Sequence, residues 1–166
     1  MNILLLGATG SIGKSVLSVI NQNNSELSLF GIALNKNTIE ANNIVKQFAP
    51  SYVYIDDCDA FKNQNSAITT QYINGDSALA DLINHEDVDV IICAISGFAG
   101  LKAAYIAAST GKKILLANKE SVVAGGDLIL PLAKKNNSEI IPIDSEHNAI
   151  FQCLLGEDDT KDVKKI

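Results

Sequence analysis

The chain has 166 residues, 47% of them apolar, with a net charge of −6 and a sequence pI of about 4.8. This suits one domain with a sizeable core, and the acidity argues against nucleic acid or an anionic membrane surface as a partner. All 13 basic residues are Lys, so a bound phosphate must be met by lysine, backbone N–H groups or hydroxyls, without arginine's bidentate fork.

Residues 2–6 read as a buried strand, and residues 12–21 as a helix with Ile12, Val16, Val19 and Ile20 on one face. Residues 27–34 form a second strand. Residues 38–49 are helical, with Ile44, Val45 and Phe48 inward and Pro50 as the stop. A third strand covers 52–56 and a short helix 59–65. A short strand at 71–73 precedes Asn74-Gly75, and a helix over 77–84 can be capped by Asp76. The apolar run 88–95 is a strand, followed by an Ala-rich helix over 100–109 that Gly111 ends. Residues 113–117 are a strand, 121–135 a helix, 139–143 the last strand, and 147–155 the beginning of another helix. This rhythm predicts an α/β fold with a doubly wound, mostly parallel sheet and helices on both faces. Right-handed crossovers would carry the motif-bearing strand ends to one edge. The polar run 156–162 reads either as a solvated tail or as a cut within a longer chain.

Four polar clusters follow four apolar strands. Gly7-Ala8-Thr9-Gly10-Ser11-Ile12-Gly13 leaves the first strand and opens the first helix. Its glycines permit a tight turn and close approach of backbone to phosphate, and the helix N-terminus favours an anion. Thr9, Ser11 and Ile12 are best placed to meet it. A strand–loop–helix of this kind makes the sheet Rossmann-like. The second strand ends in Asn35-Lys36-Asn37 rather than in the acid that holds a ribose 2′-OH in NAD binders, so NADP(H) is expected over NAD(H). Lys36 also fits a solvated turn. The small residues of Ser96-Gly97-Phe98-Ala99-Gly100 let a cofactor cross the sheet edge, or form a plain turn. Asn118-Lys119-Glu120-Ser121 brings an amide, a cation and a carboxylate to a helix start, for ligand contact or for capping. Asp144-Ser145-Glu146-His147 offers hard oxygen donors of the kind a divalent cation prefers. Equally, Asp144 could be an N-cap, with Glu146 favouring the helix dipole.

The three cysteines, Cys58, Cys93 and Cys153, are odd in number and widely spaced, indicating neither a zinc site nor a disulfide framework. Cys93 reads as a small core residue, and a reducing, cytoplasmic setting is expected. His85 falls in a polar turn and reads as a surface residue. No stretch is long enough to span a bilayer, and no signal or transit peptide is expected before the first strand.

Together the phosphate loop, Leu115-Leu116-Ala117-Asn118-Lys119-Glu120-Ser121, the 94–101 segment and Asp144-Ser145-Glu146-His147-Asn148-Ala149-Ile150-Phe151-Gln152 resemble the 1-deoxy-D-xylulose 5-phosphate reductoisomerase family. The resemblance implies NADPH- and Mg²⁺- or Mn²⁺-dependent isomerisation and reduction of a phosphorylated sugar in isoprenoid biosynthesis. By motif, Gly7, Thr9, Gly10, Ser11, Ile12 and Gly13 would bind the cofactor phosphates, with Lys36 and Asn37 near the 2′-phosphate. Asn118 and Glu120 would also bind the cofactor. Lys119, Ser145 and Glu146 would hold substrate, Asp144 and Glu146 the metal, and Lys119, Asp144 and Glu146 would act in catalysis. Asn35 departs from the family's usual glycine, and Ala8 from its usual serine.

The resemblance also implies two units: residues 1–143 as the NADPH-binding Rossmann domain, and residues 144–166 as the start of a catalytic, metal-binding domain. Family members are longer, so the chain is expected to be an N-terminal fragment, inactive alone, of an enzyme that is a homodimer at full length. A third metal carboxylate, the substrate-phosphate site and a tryptophan-bearing flap are not found in it. Extended short-chain epimerases and reductases share the Gly-Ala-Thr-Gly start but need Tyr-x-x-x-Lys; Tyr52, Tyr54, Tyr72 and Tyr105 are followed four residues on by Asp56, Cys58, Asp76 and Ser109. A semialdehyde-dehydrogenase-like enzyme would need a cysteine nucleophile at the site, and Cys153 lies past the strand end, within a helix. A non-catalytic NADP-binding or sensing module is the remaining alternative.

Overall fold

The structure, a computed structural model, describes residues 1–55 and 69–155. Strand β1 (Asn2–Leu6) leads into helix α1 (Ser11–Gln22), followed by β2 (Ser28–Leu34), α2 (Thr38–Phe48), β3 (Tyr52–Ile55) and β4 (Gln71–Ile73). Helix α3 (Asp76–Asn84), β5 (Val90–Cys93), α4 (Ala99–Ala108), β6 (Lys113–Leu116), α5 (Lys119–Asn136), β7 (Glu139–Pro142) and α6 (Ser145–Leu154) complete the order. The expected helix over 59–65, Asp56 and Cys58 lie outside the described residues.

The strands form one seven-stranded sheet in the order β4-β3-β2-β1-β5-β6-β7, with every recorded pairing parallel. A sheet this apolar must be covered on both faces, because alternate residues of each strand point to opposite sides. Ile3 and Leu5 join one core with Leu17, Ile20, Ile44 and Val45, under α1 and α2. Leu4 and Leu6 join the other with Leu82, Ile83, Ala104 and Ile129, under α3, α4 and α5. Cys93 is buried in the second core, as its apolar run implies.

The strand expected over 88–95 is shorter, at Val90–Cys93, and three readings of face, cap and exposure change. On α1 the buried face is Gly13, Leu17 and Ile20, while Val19 is exposed. An i, i+4, i+7 stripe centred on the small Gly13 lets the helix lie close to the sheet, which turns Val19 outward. Asp76 is the first residue of α3 rather than its cap; Gly75 takes the cap position, and Asp76 instead pairs with Lys102 at 2.6 Å. His85 is not a plain surface residue. Its ring lies 4.8 Å from that of Phe30 and 5.4 Å from that of Tyr52, with 29% of the side chain exposed. The polar neighbours that suggested exposure face water, while the ring folds back over the amino edge of the sheet.

Candidate active site

The strand order reverses direction of growth between β1 and β5, and in open α/β sheets the crevice outside the carboxyl ends at such a point takes ligands. Here the ends are stitched together: Ala94 N–H donates to Leu6 O at 2.8 Å, and Gly7 N–H to Ala33 O at 2.8 Å. Gly7 turns with φ +92°, and a Cβ there would meet Ala94 O at 2.5 Å. A Cβ on Gly13 would meet Ala8 O at 2.6 Å. The loop is therefore pressed against both the sheet and its own helix by residues that have no side chain. A cradle shaped by bare backbone at a helix N-terminus suits a pyrophosphate.

Two cavities open along this edge. One, of about 320 Å³, runs from Gly7, Thr9 and Gly10 past Asn35 and Tyr54 to Ser96. The other, of about 440 Å³, lies between Ile12 on α1 and the starts of α5 and α6, with Lys119, Glu120, Asp144, Ser145 and Glu146 on its wall. Ala94, Ile95 and Ser96 line both, so the two adjoin along the end of β5.

The structure gathers Thr9 and Gly10 on the first cavity and Ile12, Asn118, Lys119, Glu120, Asp144, Ser145 and Glu146 on the second. Ser11 begins α1, and Gly13 is buried beneath the loop. Lys36 and Asn37 lie just beyond the wall residue Asn35, both exposed. Asn37 caps α2, its side-chain oxygen accepting from Glu40 N–H at 3.1 Å.

In the second cavity Lys119 Nζ lies 3.0 Å from Glu146 Oε1, and Ser145 Oγ donates to Glu146 Oε2 at 3.0 Å. Glu146's carboxyl is held down at about 2, first by its own backbone N–H at the start of α6 and then by Lys119 and Ser145. Lys119 is raised in return, through its hydrogen bond to Glu146. The site thus keeps both groups charged near neutrality. Asp144 realises the capping alternative: its Oδ2 accepts from His147 N–H at 3.2 Å and lies 2.7 Å from His147 Nδ1. These contacts use Oδ2 alone, so capping and metal ligation are compatible. Two carboxylates and a hydroxyl are hard donors that fit Mg²⁺ or Mn²⁺, although no group of three or more His, Cys, Asp or Glu poised for a metal occurs among the described residues.

Asn118 is 3% exposed, and its amide is committed to the protein's own backbone. Sequence reasoning missed Tyr54 and Leu79, which close the far end of the first cavity. Tyr54 follows the strand-end rule at β3 and could have been found by it. Leu79 reaches the crevice from α3 and carries no such signal.

Compared with known families, residues 3–126 match the model of 1-deoxy-D-xylulose 5-phosphate reductoisomerase. The chain belongs to this reductoisomerase family. Curated reductoisomerases from Vesicomyosocius okutanii subsp. Calyptogena okutanii (strain HA) and Francisella tularensis subsp. novicida (strain U112) are 43% and 41% identical to it, over 92% and 94% of this chain. The aligned part is 40% of each, so the chain spans about two-fifths of the length of these relatives. A crystal structure of DOX-P reductoisomerase in complex with NADPH, fosmidomycin and magnesium matches with a TM-score of 0.90 at 37% identity, covering 94% of this chain and 39% of that one. The Zymomonas mobilis reductoisomerase in complex with NADPH matches with 0.86 at 34% identity, over 92% of this chain and 41% of its own. A homoserine dehydrogenase from Thiobacillus denitrificans, at 19% identity and a TM-score of 0.58, shares the fold alone. Among the described residues of this reductoisomerase-family chain, no helix is long and apolar enough to cross a membrane.

Proposed function

We propose that the chain is the cofactor-binding part of an enzyme that isomerises and reduces 1-deoxy-D-xylulose 5-phosphate to 2-C-methyl-D-erythritol 4-phosphate, using NADPH and Mg²⁺ or Mn²⁺. The observation that carries the reading is the crevice itself. A backbone phosphate cradle and a Lys–Ser–carboxylate cluster line two adjoining cavities at one edge of the sheet.

In this reading Gly7, Thr9, Gly10, Ser11, Ile12 and Gly13 seat the pyrophosphate, and Lys36 and Asn37 meet the 2′-phosphate. Glu120 borders the nicotinamide ribose. Asp144 and Glu146 hold the metal, and Ser145 and Glu146 touch substrate. Lys119 holds an oxygen of the substrate as negative charge develops on it, leaving Glu146 to do so. The bound groups would supply a Lewis acid and a hydride. Residues 1–143 form the cofactor domain, and residue 144 begins the catalytic one. Consistent with that boundary, α6 has no buried residue, unlike α1 to α5. The full-length enzyme works as a homodimer in the cytoplasm.

Titration of NADPH and NADH by cofactor fluorescence, with and without Mn²⁺ and a substrate analogue, tests this. Tighter NADPH binding that responds to Mn²⁺ plus analogue is expected. NADH bound as tightly as NADPH would overturn the cofactor assignment. The 166 residues alone are expected to show no substrate-dependent NADPH oxidation, because among the described residues no group of three or more His, Cys, Asp or Glu is poised to hold the metal. That absence among the described residues also favours one second reading, a non-catalytic NADP-binding module. NADPH binding indifferent to metal and analogue would select it.

A further inference from the structure

The walls of the crevice come from separate loops, and one buried side chain joins two of them. Asn118 follows β6 and caps α5, its Oδ1 accepting from Ser121 N–H at 3.0 Å. Its Nδ2 donates twice across the crevice floor, to Ile95 O at 2.5 Å and Gly97 O at 2.8 Å. Two donors and one acceptor are thereby engaged in a site 3% exposed, which is three of the four hydrogen bonds a carboxamide makes. The carbonyls belong to the β5–α4 loop, whose Ile95 and Ser96 line both cavities. Gly100 completes the fit. A Cβ there would overlap Asn118 Nδ2 and come within 2.5 Å of Ile95 O. The start of α4 is thus bare where the amide passes over it.

We propose that Asn118 is a positioning residue. Its carboxamide clips the β5–α4 loop to the N-terminus of α5 and so sets the width of the groove that receives the nicotinamide half of the cofactor. This rests on the NADPH reading above. Direct hydrogen bonding by the Asn118 side chain to the cofactor is the competing role, and it would require breaking bonds already made inside the protein. Lys119 and Glu120 follow Asn118 directly on α5, so the same clip fixes where they emerge.

Asn118→Ser and Asn118→Asp separate clip from cap. Serine and aspartate are both good N-caps, so the acceptor for Ser121 N–H survives, while both donors to the loop are lost. Aspartate also sets a carboxylate against two carbonyl oxygens. Both variants should retain cooperative unfolding. NADPH affinity should fall about tenfold, the scale of one or two lost net hydrogen bonds. Without any ligand, amide hydrogen exchange at Gly100 and Leu101, whose N–H groups donate to Gly97 O and Phe98 O of this loop, should speed up at least as much, and more in the aspartate variant. In the wild type, the Asn118 side-chain NH₂ signals should stay in place on addition of NADPH. Unchanged exchange at Gly100 and Leu101, or side-chain signals that move with NADPH while those two amides stay protected, would overturn the clip. Because the exchange measurement needs no cofactor, failure of the wild type to bind NADPH would remove the functional reading and leave the clip separately tested.

Discussion

Glu146 is 64% exposed, yet its carboxyl sits at about 2 instead of the ordinary 4.5, because a helix-start N–H, Lys119 and Ser145 all favour the charged form. A depressed carboxylate adds stability that is present above the unfolded value and is lost as pH falls through the folded one. The stability it contributes should therefore be complete above about pH 4.5 and fade between there and about 2, where the carboxyl takes its proton and the link to Lys119 opens. Lys119 is raised, so its share is complete below 10.5 and fades as pH rises through the higher folded value. Carboxyl NMR titration of Glu146 should show the low midpoint, and Lys119→Met should move it upward; an unchanged midpoint would remove lysine from the account. Gly13 supplies a sharper test of the loop. An alanine methyl there would press on Ala8 O and C at 2.6 and 2.7 Å. Backbone cannot swing aside as a side chain can, so Gly13→Ala should cost about 2–3 kcal/mol in urea unfolding, the upper range for overpacking. Gly97→Ala meets no atom within 4 Å. It carries only the strain of φ +68°, about 1–2 kcal/mol.

At the level of elements, helix starts carry the chemistry. Helices α1, α2, α5 and α6 all begin at the carboxyl edge of the sheet, and three of them are capped by side chains, from Asn37, Asn118 and Asp144. At Asn118 and Asp144 the sequence offers capping as the alternative to function, but cap and crevice position coincide, because the residue after a strand that caps a helix necessarily stands at that edge. Polar residues at 118–120 suggested a later start for α5, at 121. The helix begins at Lys119 because Asn118 captures the Ser121 amide. Strand boundaries were legible from apolar runs, and β4 matches residue for residue. The face of α1 was not, since its stripe depends on how closely Gly13 approaches the sheet. Cofactor choice is proposed to sit at the start of α2. Lys36→Ala should reduce the preference for NADPH over NADH by about tenfold or more, the worth of a hydrogen bond to a charged group. Unchanged relative affinities would assign Lys36 to the solvated turn.

The whole molecule is a parallel sheet sealed between two apolar layers. Cys93 lies in the second layer, and burial pushes its thiol up to about 12. Cys153 is exposed on α6. A thiol reagent at neutral pH should therefore modify Cys153 at once and Cys93 only as the domain unfolds, with a rate that tracks urea concentration. Early labelling of Cys93, followed by peptide mass spectrometry, would contradict the sealed layer. The sheet's other end is less covered: α6 contributes no buried residue, and Leu155 is 62% exposed.

The order of strands and helices, the phosphate loop and the family motifs were fixed locally, because apolar runs, glycine spacing and cap residues act within a few positions. The sequence by itself therefore determined the fold class and nominated the crevice. Tertiary structure decided what separation in the chain hides. It set Lys119 against Glu146, 27 residues apart. It folded His85 onto Phe30 and Tyr52. It set the Asn118 amide, on the wall of the second cavity, against the carbonyls of Ile95 and Gly97. Each depends on the register of neighbouring parallel strands, and no local pattern encodes that register.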